Sequence, residues 1–267
     1  MLRLAQTLFR YRSLLITLTS RELKARYRGS VLGYLWSLVN PLLLLVVYAF
    51  VFTTIFQPRD PNVTPYALFL ATGVFPWLWL SASWVEGSSA LLANAGLIRK
   101  ASFPAELLPV VSVLANLVHF SFALPIIALG LLVYGNQGHD VGGWSVLATP
   151  LIALLQLPLT AGLALGFAAL NAHFKDVRDI LNNLLTLLFF TTPILYTLNA
   201  LEGFPLLQDL IRWNPFSPFM RAYQEAIFYG QWPGAGLWFG MVAASLGLWG
   251  LGAWVFDRLS ETLVEAV

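Results

Sequence analysis

Three histidines, thirteen acidic residues and no cysteine are all that this 267-residue chain offers for acid–base, metal or nucleophilic chemistry. His119, His139 and His173 stand apart, and none has a second His or a Cys nearby to complete a metal site. Without cysteine there is no disulfide, thiolate site or sulfur nucleophile. No Gly-x-x-x-x-Gly-Lys-Ser/Thr loop is present, nor even a Gly-Lys pair, so nothing in the chain cradles a nucleotide phosphate. Glu86 is the one acid inside an otherwise apolar stretch. A charge there is costly, and by default it faces the protein interior or a water-filled path. Structural and pathway roles are both open for it, and no second carboxylate is placed to make a proton relay.

The basic residues are more telling. Arg21, Lys24, Arg26 and Arg28 close an N-terminal segment in which Leu4, Leu8, Tyr11 and Leu15 recur at helical spacing. Leu23, Tyr27 and Val31 recur likewise, on a different stripe from Arg21, Lys24 and Arg28. This is the pattern of one or two interfacial amphipathic helices, apolar face in lipid and basic face toward phosphates. The same charges also serve simply to hold the N-terminus inside. A second cluster is the loop 94–106, which mixes apolar Leu97, Ile98 and Phe103 with Arg99, Lys100 and Glu106. It reads either as a plain connection or as a knob that docks on another protein. The loop 173–179 is mixed in charge and reads as a solvated turn.

The elements that position these groups follow from composition. The chain is 58% hydrophobic and 10% charged, against about 25% charged for a typical soluble domain. An ordinary soluble enzyme and a disordered chain are both excluded. Six stretches lack Asp, Glu, Lys and Arg altogether: 29–58, 61–85, 107–139, 141–174, 180–201 and 226–256. Each reaches the roughly 20 residues that cross a bilayer as a helix. The expected architecture is all-α and polytopic, with six transmembrane helices near 34–56, 66–92, 105–134, 144–171, 180–199 and 235–256. A cytoplasmic interface segment over 1–33 precedes the six-helix domain, 34–267. Pro and Gly divide 200–233 into two short helical pieces, which read as re-entrant or interfacial external helices before the last span.

Orientation comes from the cations. Twelve of the fifteen Lys and Arg fall on the side of the two termini, in 1–30, 93–104, 172–179 and at Arg258; Arg59, Arg212 and Arg221 fall on the other. The positive-inside rule then makes both termini cytoplasmic. No cleavable signal peptide and no separate soluble domain are expected. Trp77, Trp79, Trp84, Trp144, Trp213 and Trp232 fall near span ends, the usual belt position. Gly162-x-x-x-Gly166 and Gly236-x-x-x-Gly240 allow close helix approach.

Several blocks carry a resemblance. Arg21-Glu-Leu-Lys-Ala-Arg-Tyr-Arg-Gly-Ser-Val-Leu-Gly-Tyr-Leu-Trp-Ser-Leu-Val-Asn-Pro41 is a basic helix leading through Leu-Gly-x-x-Trp to Asn-Pro. Asn94–Pro104, Phe174-Lys-Asp-Val-Arg-Asp-Ile180, Thr192-Pro-Ile-Leu-Tyr196 and Asn214-Pro-Phe-Ser-Pro with Arg221 and Gly230 follow in order. Together they resemble the permease subunits of ATP-binding-cassette polysaccharide exporters, the family that exports O-antigen, capsule or teichoic acid chains. The resemblance implies a transport subunit, not an enzyme, in the bacterial cytoplasmic (inner) membrane. Two copies would form the channel and move a polyprenyl-linked polysaccharide outward. Each would pair with a separate nucleotide-binding ATPase that carries ATP and Mg, leaving no cofactor on this chain. It further implies that Arg99, Lys100, Phe103 and Glu106 contact the ATPase, and that Arg21, Lys24, Arg26 and Arg28 meet the substrate headgroup or membrane surface. Aromatics would line the channel, and Tyr48, Phe52, Phe56 and Tyr196 are expected there from their place on the first and fifth spans. Membrane lipids are further partners and nucleic acid is not. Exporters of teichoic acid, lipid or drug are the alternatives in transport. A membrane-embedded glycosyl or acyl transferase is a remote one, because such enzymes need acidic or histidine clusters and here both are scattered.

Overall fold

The computed structural model describes residues 2–55, 63–99 and 103–263; Phe56 and Lys100 lie outside the described residues. Every regular element among these is a helix. In chain order they are α1 (Leu2–Arg10), α2 (Arg12–Tyr27), α3 (Trp36–Phe50), α4 (Tyr66–Ala93), α5 (Ala95–Ile98), α6 (Leu107–Asn136), α7 (Thr149–His173), α8 (Val177–Thr191), α9 (Pro205–Trp213), α10 (Ser217–Tyr223) and α11 (Ala235–Leu259). A π-turn extends α3 over Val51–Ile55, and a second extends α10 over Gln224–Phe228.

Four helical stretches, Tyr66–Ala93, Leu107–Asn136, Trp144–His173 and Ala235–Thr262, are long and apolar enough to cross a membrane. They match four of the six expected spans. At the other two places stand shorter helices. Where the first span is expected, over 34–56, stand the 15 residues of α3 and its π-turn. The fifth, expected over 180–199, is α8, which starts earlier and stops at Thr191. Its end has a local cause: Thr192 precedes Pro193, whose ring pushes it to an extended backbone (φ −107°, ψ 139°). The orphan end is satisfied by Asn214, whose side-chain amide donates to the Thr191 carbonyl at 3.0 Å. Fifteen residues rise about 22 Å, short of the roughly 30 Å hydrocarbon core.

The bundle is built around α4. This helix is apolar around most of its circumference, and it packs against α3, α6, α7, α8 and α10. Trp77, Trp79 and Trp84 are therefore core residues and not belt residues, while Trp144, Trp213 and Trp232 are exposed. Two side-chain amides stitch α7 to α4: Gln156 donates to the Pro76 carbonyl at 3.1 Å and Asn171 to the Ser88 carbonyl at 3.0 Å. α7 and α11 cross so closely at Gly162 and Gly252 that a Cβ on either would strike the other helix's backbone. Gly166 joins this crossing, facing Gly252. Of the second glycine pair, Gly236 faces open space and Gly240 faces the Pro218 ring. Ser245 of α11 adds a hydrogen bond to the Leu155 carbonyl of α7.

The N-terminal helices lie against the bundle. Leu4 and Leu15 are buried, and Leu8, Tyr11, Leu14 and Leu18 pack against the core. The stripe expected to face lipid thus meets protein. Val31 lies beyond the end of α2 and is fully exposed, so it does not continue the Leu23–Tyr27 stripe.

Candidate functional site

The last turns of α2 and the residue that caps it carry four cations, Arg21, Lys24, Arg26 and Arg28, and the structure separates one from the others. At 100° per residue, Arg21, Lys24 and Arg28 lie about 160–220° around the helix axis from Arg26. Those three line an open groove with Ile16, Thr17 and Ser20 on the outer side of α2. Arg26 turns inward. Its Nη2 donates to Glu86 Oε2 of α4 at 2.5 Å and its Nη1 to Asn116 Oδ1 of α6 at 3.1 Å. Its Nε reaches Glu22 Oε1 at 3.4 Å. Asn116, almost fully buried, closes the triangle by donating to Glu86 Oε2 at 2.5 Å and to the Ser112 carbonyl at 3.0 Å. The Glu86 charge that the sequence left without a partner is thus paired and hydrogen-bonded. Arg26 has an acceptor on each of its three nitrogens, so its charge is spent inside the protein.

The neighbouring residue extends this contact. The Tyr27 hydroxyl lies 3.2 Å from His119 Nδ1, with the two rings edge to face at 5.7 Å. Arg26, Tyr27, Asn116 and His119 form the polar wall of a cavity of about 470 Å³. Its opposite wall is the start of α3, from Trp36 to Leu44, and its floor is Phe75, Trp79 and Phe120. α3 buries no side chain fully.

The loop 94–106 does not present its apolar residues outward. Ile98 is buried, and Leu97 and Phe103 rest against the core. Phe103, Pro104 and Glu106 face Gln6 and Arg10 of α1, and Tyr11 between α1 and α2, across an open groove, and Arg99 is exposed. α1 and this loop therefore share one surface at the end of the bundle that also holds Arg26 and Glu86. The same end holds the C-terminal segment, where His173 Nε2 lies 2.8 Å from Thr262 Oγ1.

Three of the expected channel aromatics gather where α3, α4 and α8 meet. Tyr48 stacks on Phe189 with centroids 5.8 Å apart and an interplanar angle of 29°. Phe52 is 6.4 Å from Tyr48 and 6.1 Å from Tyr66. The Tyr196 hydroxyl donates to the Phe190 carbonyl at 2.7 Å. Phe189 also meets Trp77 at 6.0 Å. Beside them α8 buries only Leu181 and Leu185 fully, and it leaves Asn182, Asn183 and Thr186 exposed among Ile180, Leu184 and Leu187.

Sequence reasoning passed over Asn116 and the α8 amides. The available signal was the same for each: an amide within a stretch free of charges, where an unpaired polar group is costly.

Against known proteins, the model of the family described as "ABC-2 type transporter" matches residues 13–228. An O-antigen export system permease protein of Myxococcus xanthus is 36% identical over 267 residues, covering all of both chains. One from Klebsiella pneumoniae is 35% identical over 218 residues, 81% of each chain. A polysialic acid transport protein of Escherichia coli is 24% identical over 211 residues, 79% of each.

Proposed function

From membership of the ABC-2 type transporter family of membrane proteins, to which this chain belongs, we propose that it is the permease subunit of an ATP-driven polysaccharide exporter. Its substrate is a lipid-linked, O-antigen-like glycan carried from the cytoplasm outward. The similarity to an O-antigen export permease runs the full length of both chains. Two copies enclose the path, each passing the inner membrane six times, with α3 and α8 as the first and fifth passes and both termini in the cytoplasm. A separate ATPase binds at the surface shared by α1 and the loop 94–106, with Arg99 and Glu106 on its rim, and Lys100 and Phe103 belonging to the same loop. The chain itself holds no nucleotide and performs no chemical step.

The observation that carries the channel is the open face of α8. Asn182, Asn183 and Thr186 are exposed there, and amides facing hydrocarbon would each cost free energy that water or sugar hydroxyls avoid. The adjoining ring cluster of Tyr48, Phe52 and Phe189 offers faces on which a sugar chain slides without sequence-specific bonds. Arg21, Lys24 and Arg28, with acceptors neither from Glu22 nor Glu86, are the cations that meet phosphate at the cytoplasmic surface. Complementation tests the reading. In a strain lacking its own permease, this chain with its ATPase restores surface glycan, and the two copurify. Purification without any ATPase, or restored transport of a lipid or drug with no glycan, refutes it.

A further inference from the structure

Apolar burial fixes the roll of α1 but leaves that of α2 poorly determined. Leu14, Leu15 and Leu18 turn toward the bundle in the first half of α2, but the same inward face continues with polar Thr19, Glu22 and Arg26, while apolar Ile16 is exposed. A helix with no dominant apolar stripe can turn about its axis at little hydrophobic cost. Its C-terminal connection does not hold it either, because Gly29 and Gly33 follow at φ +79° and +50°, a turn that transmits little torque. What does select one roll is polar. Arg26 is received on α4 by Glu86 and on α6 by Asn116, and Asn116 is itself fixed by the Ser112 carbonyl. Turning α2 by one residue would take Arg26 from both acceptors and leave Glu86 without its counter-charge, with only the Asn116 amide still bonded to it at a partly buried site.

We propose that Glu86 and Asn116 are positioning residues that key the rotational setting of α2: by drawing Arg26 inward they point Arg21, Lys24 and Arg28 outward. The opposition of these two sets on the helix makes the outward setting a direct consequence of the inward bond. Setting register is the best-attested use of buried ion pairs, and this pair, with Arg26 mostly covered and Glu86 partly exposed, is placed to do the same. This role for Glu86 requires neither proton transfer nor substrate contact. The basic face it orients is the one that meets phosphate in the proposed function. The keying itself stands without that reading.

The chain has no cysteine, so single introduced cysteines report cleanly. Thr17 lies on the outer face of α2 and is exposed; Thr19, on the side of Arg26, is buried. Thr17→Cys and Thr19→Cys, each in the full chain in native membranes, are labelled with a water-soluble maleimide. The expected rate ratio of position 17 to position 19 is about tenfold or more, as for sites differing by local opening. Glu86→Gln keeps the shape of the side chain but removes its charge, and brings the ratio within about twofold. Asn116→Leu does the same. The exchange Arg26→Glu with Glu86→Arg restores the preference, because the bond is reformed. A ratio unchanged in both single variants overturns the proposal. So does an equal acceleration at both positions, which is the mark of general loosening. The labelling ratio does not depend on export, so a negative result there leaves the transport reading intact. Conversely, a preserved ratio together with full export after Arg21, Lys24 and Arg28 are neutralised refutes the phosphate contact and leaves the key standing.

Discussion

Replacing Gly252 with alanine is the sharpest test of the bundle's packing. A Cβ at Gly252 would overlap the Gly162 carbonyl oxygen and lie 3.0 Å from Gly162 Cα. Both obstacles are backbone, so no side chain can swing away and α7 and α11 must part. A gap of even 0.5–1 Å forfeits about a quarter to a half of the dispersion well of each atom pair along the crossing. The Ser245 hydrogen bond to Leu155 lies on the same seam and stretches with it. The expected loss is about 3 kcal/mol, the upper end for overpacking. The control is on the same helix: Gly247 faces open space, and Gly247→Ala should be neutral or more stable by up to about 1 kcal/mol from helix propensity. Both are read by reversible unfolding in mixed micelles, followed by tryptophan fluorescence. If Gly252→Ala costs less than about 1 kcal/mol, below the usual overpacking range, or if the two alanines behave alike, the close crossing is wrong.

Other outcomes follow from the same contacts. Asn171→Leu leaves the Ser88 carbonyl without its side-chain donor and should cost about 1 kcal/mol in the same unfolding assay. A double-mutant cycle on Tyr48→Ala and Phe189→Ala should show a coupling of about 0.5–1.5 kcal/mol, and additivity would mean the rings do not stack. Changing Arg21, Lys24 and Arg28 together to glutamine removes about 1 kcal/mol per charge of attraction to an anionic surface. In vesicles containing anionic lipid, the Thr17→Cys site should then label faster, whereas in purely zwitterionic vesicles the two forms should label alike.

Much of the architecture was legible in the chain. The runs free of charge set four long helices to within a few residues, because a helix is the one open-ended form that satisfies its own backbone in lipid. Pro and Gly likewise marked the two short pieces α9 and α10. Local signals failed where a helix's neighbours mattered. Trp77, Trp79 and Trp84 look like belt residues by position, yet α4 is surrounded on all sides and they are core. Gly236 and Gly240 match the small-residue spacing as well as Gly162 and Gly166, but only the second pair meets another backbone. α8 ends at Thr191 because the backbone before Pro193 leaves the helix, although apolar residues run on past it.

The sequence by itself determined that this protein lives in a membrane and which family it resembles, and it set an expectation for how the charges divide between the two sides. These are properties of composition and order along the chain, and they survive without knowing what touches what. Only the tertiary structure decided the fate of individual charges. Arg26 sits in the same basic run as Arg21, Lys24 and Arg28, and no local rule distinguishes them. The difference arises because α4 and α6, sixty and ninety residues further on, bring Glu86 and Asn116 to the side of α2 that carries Arg26.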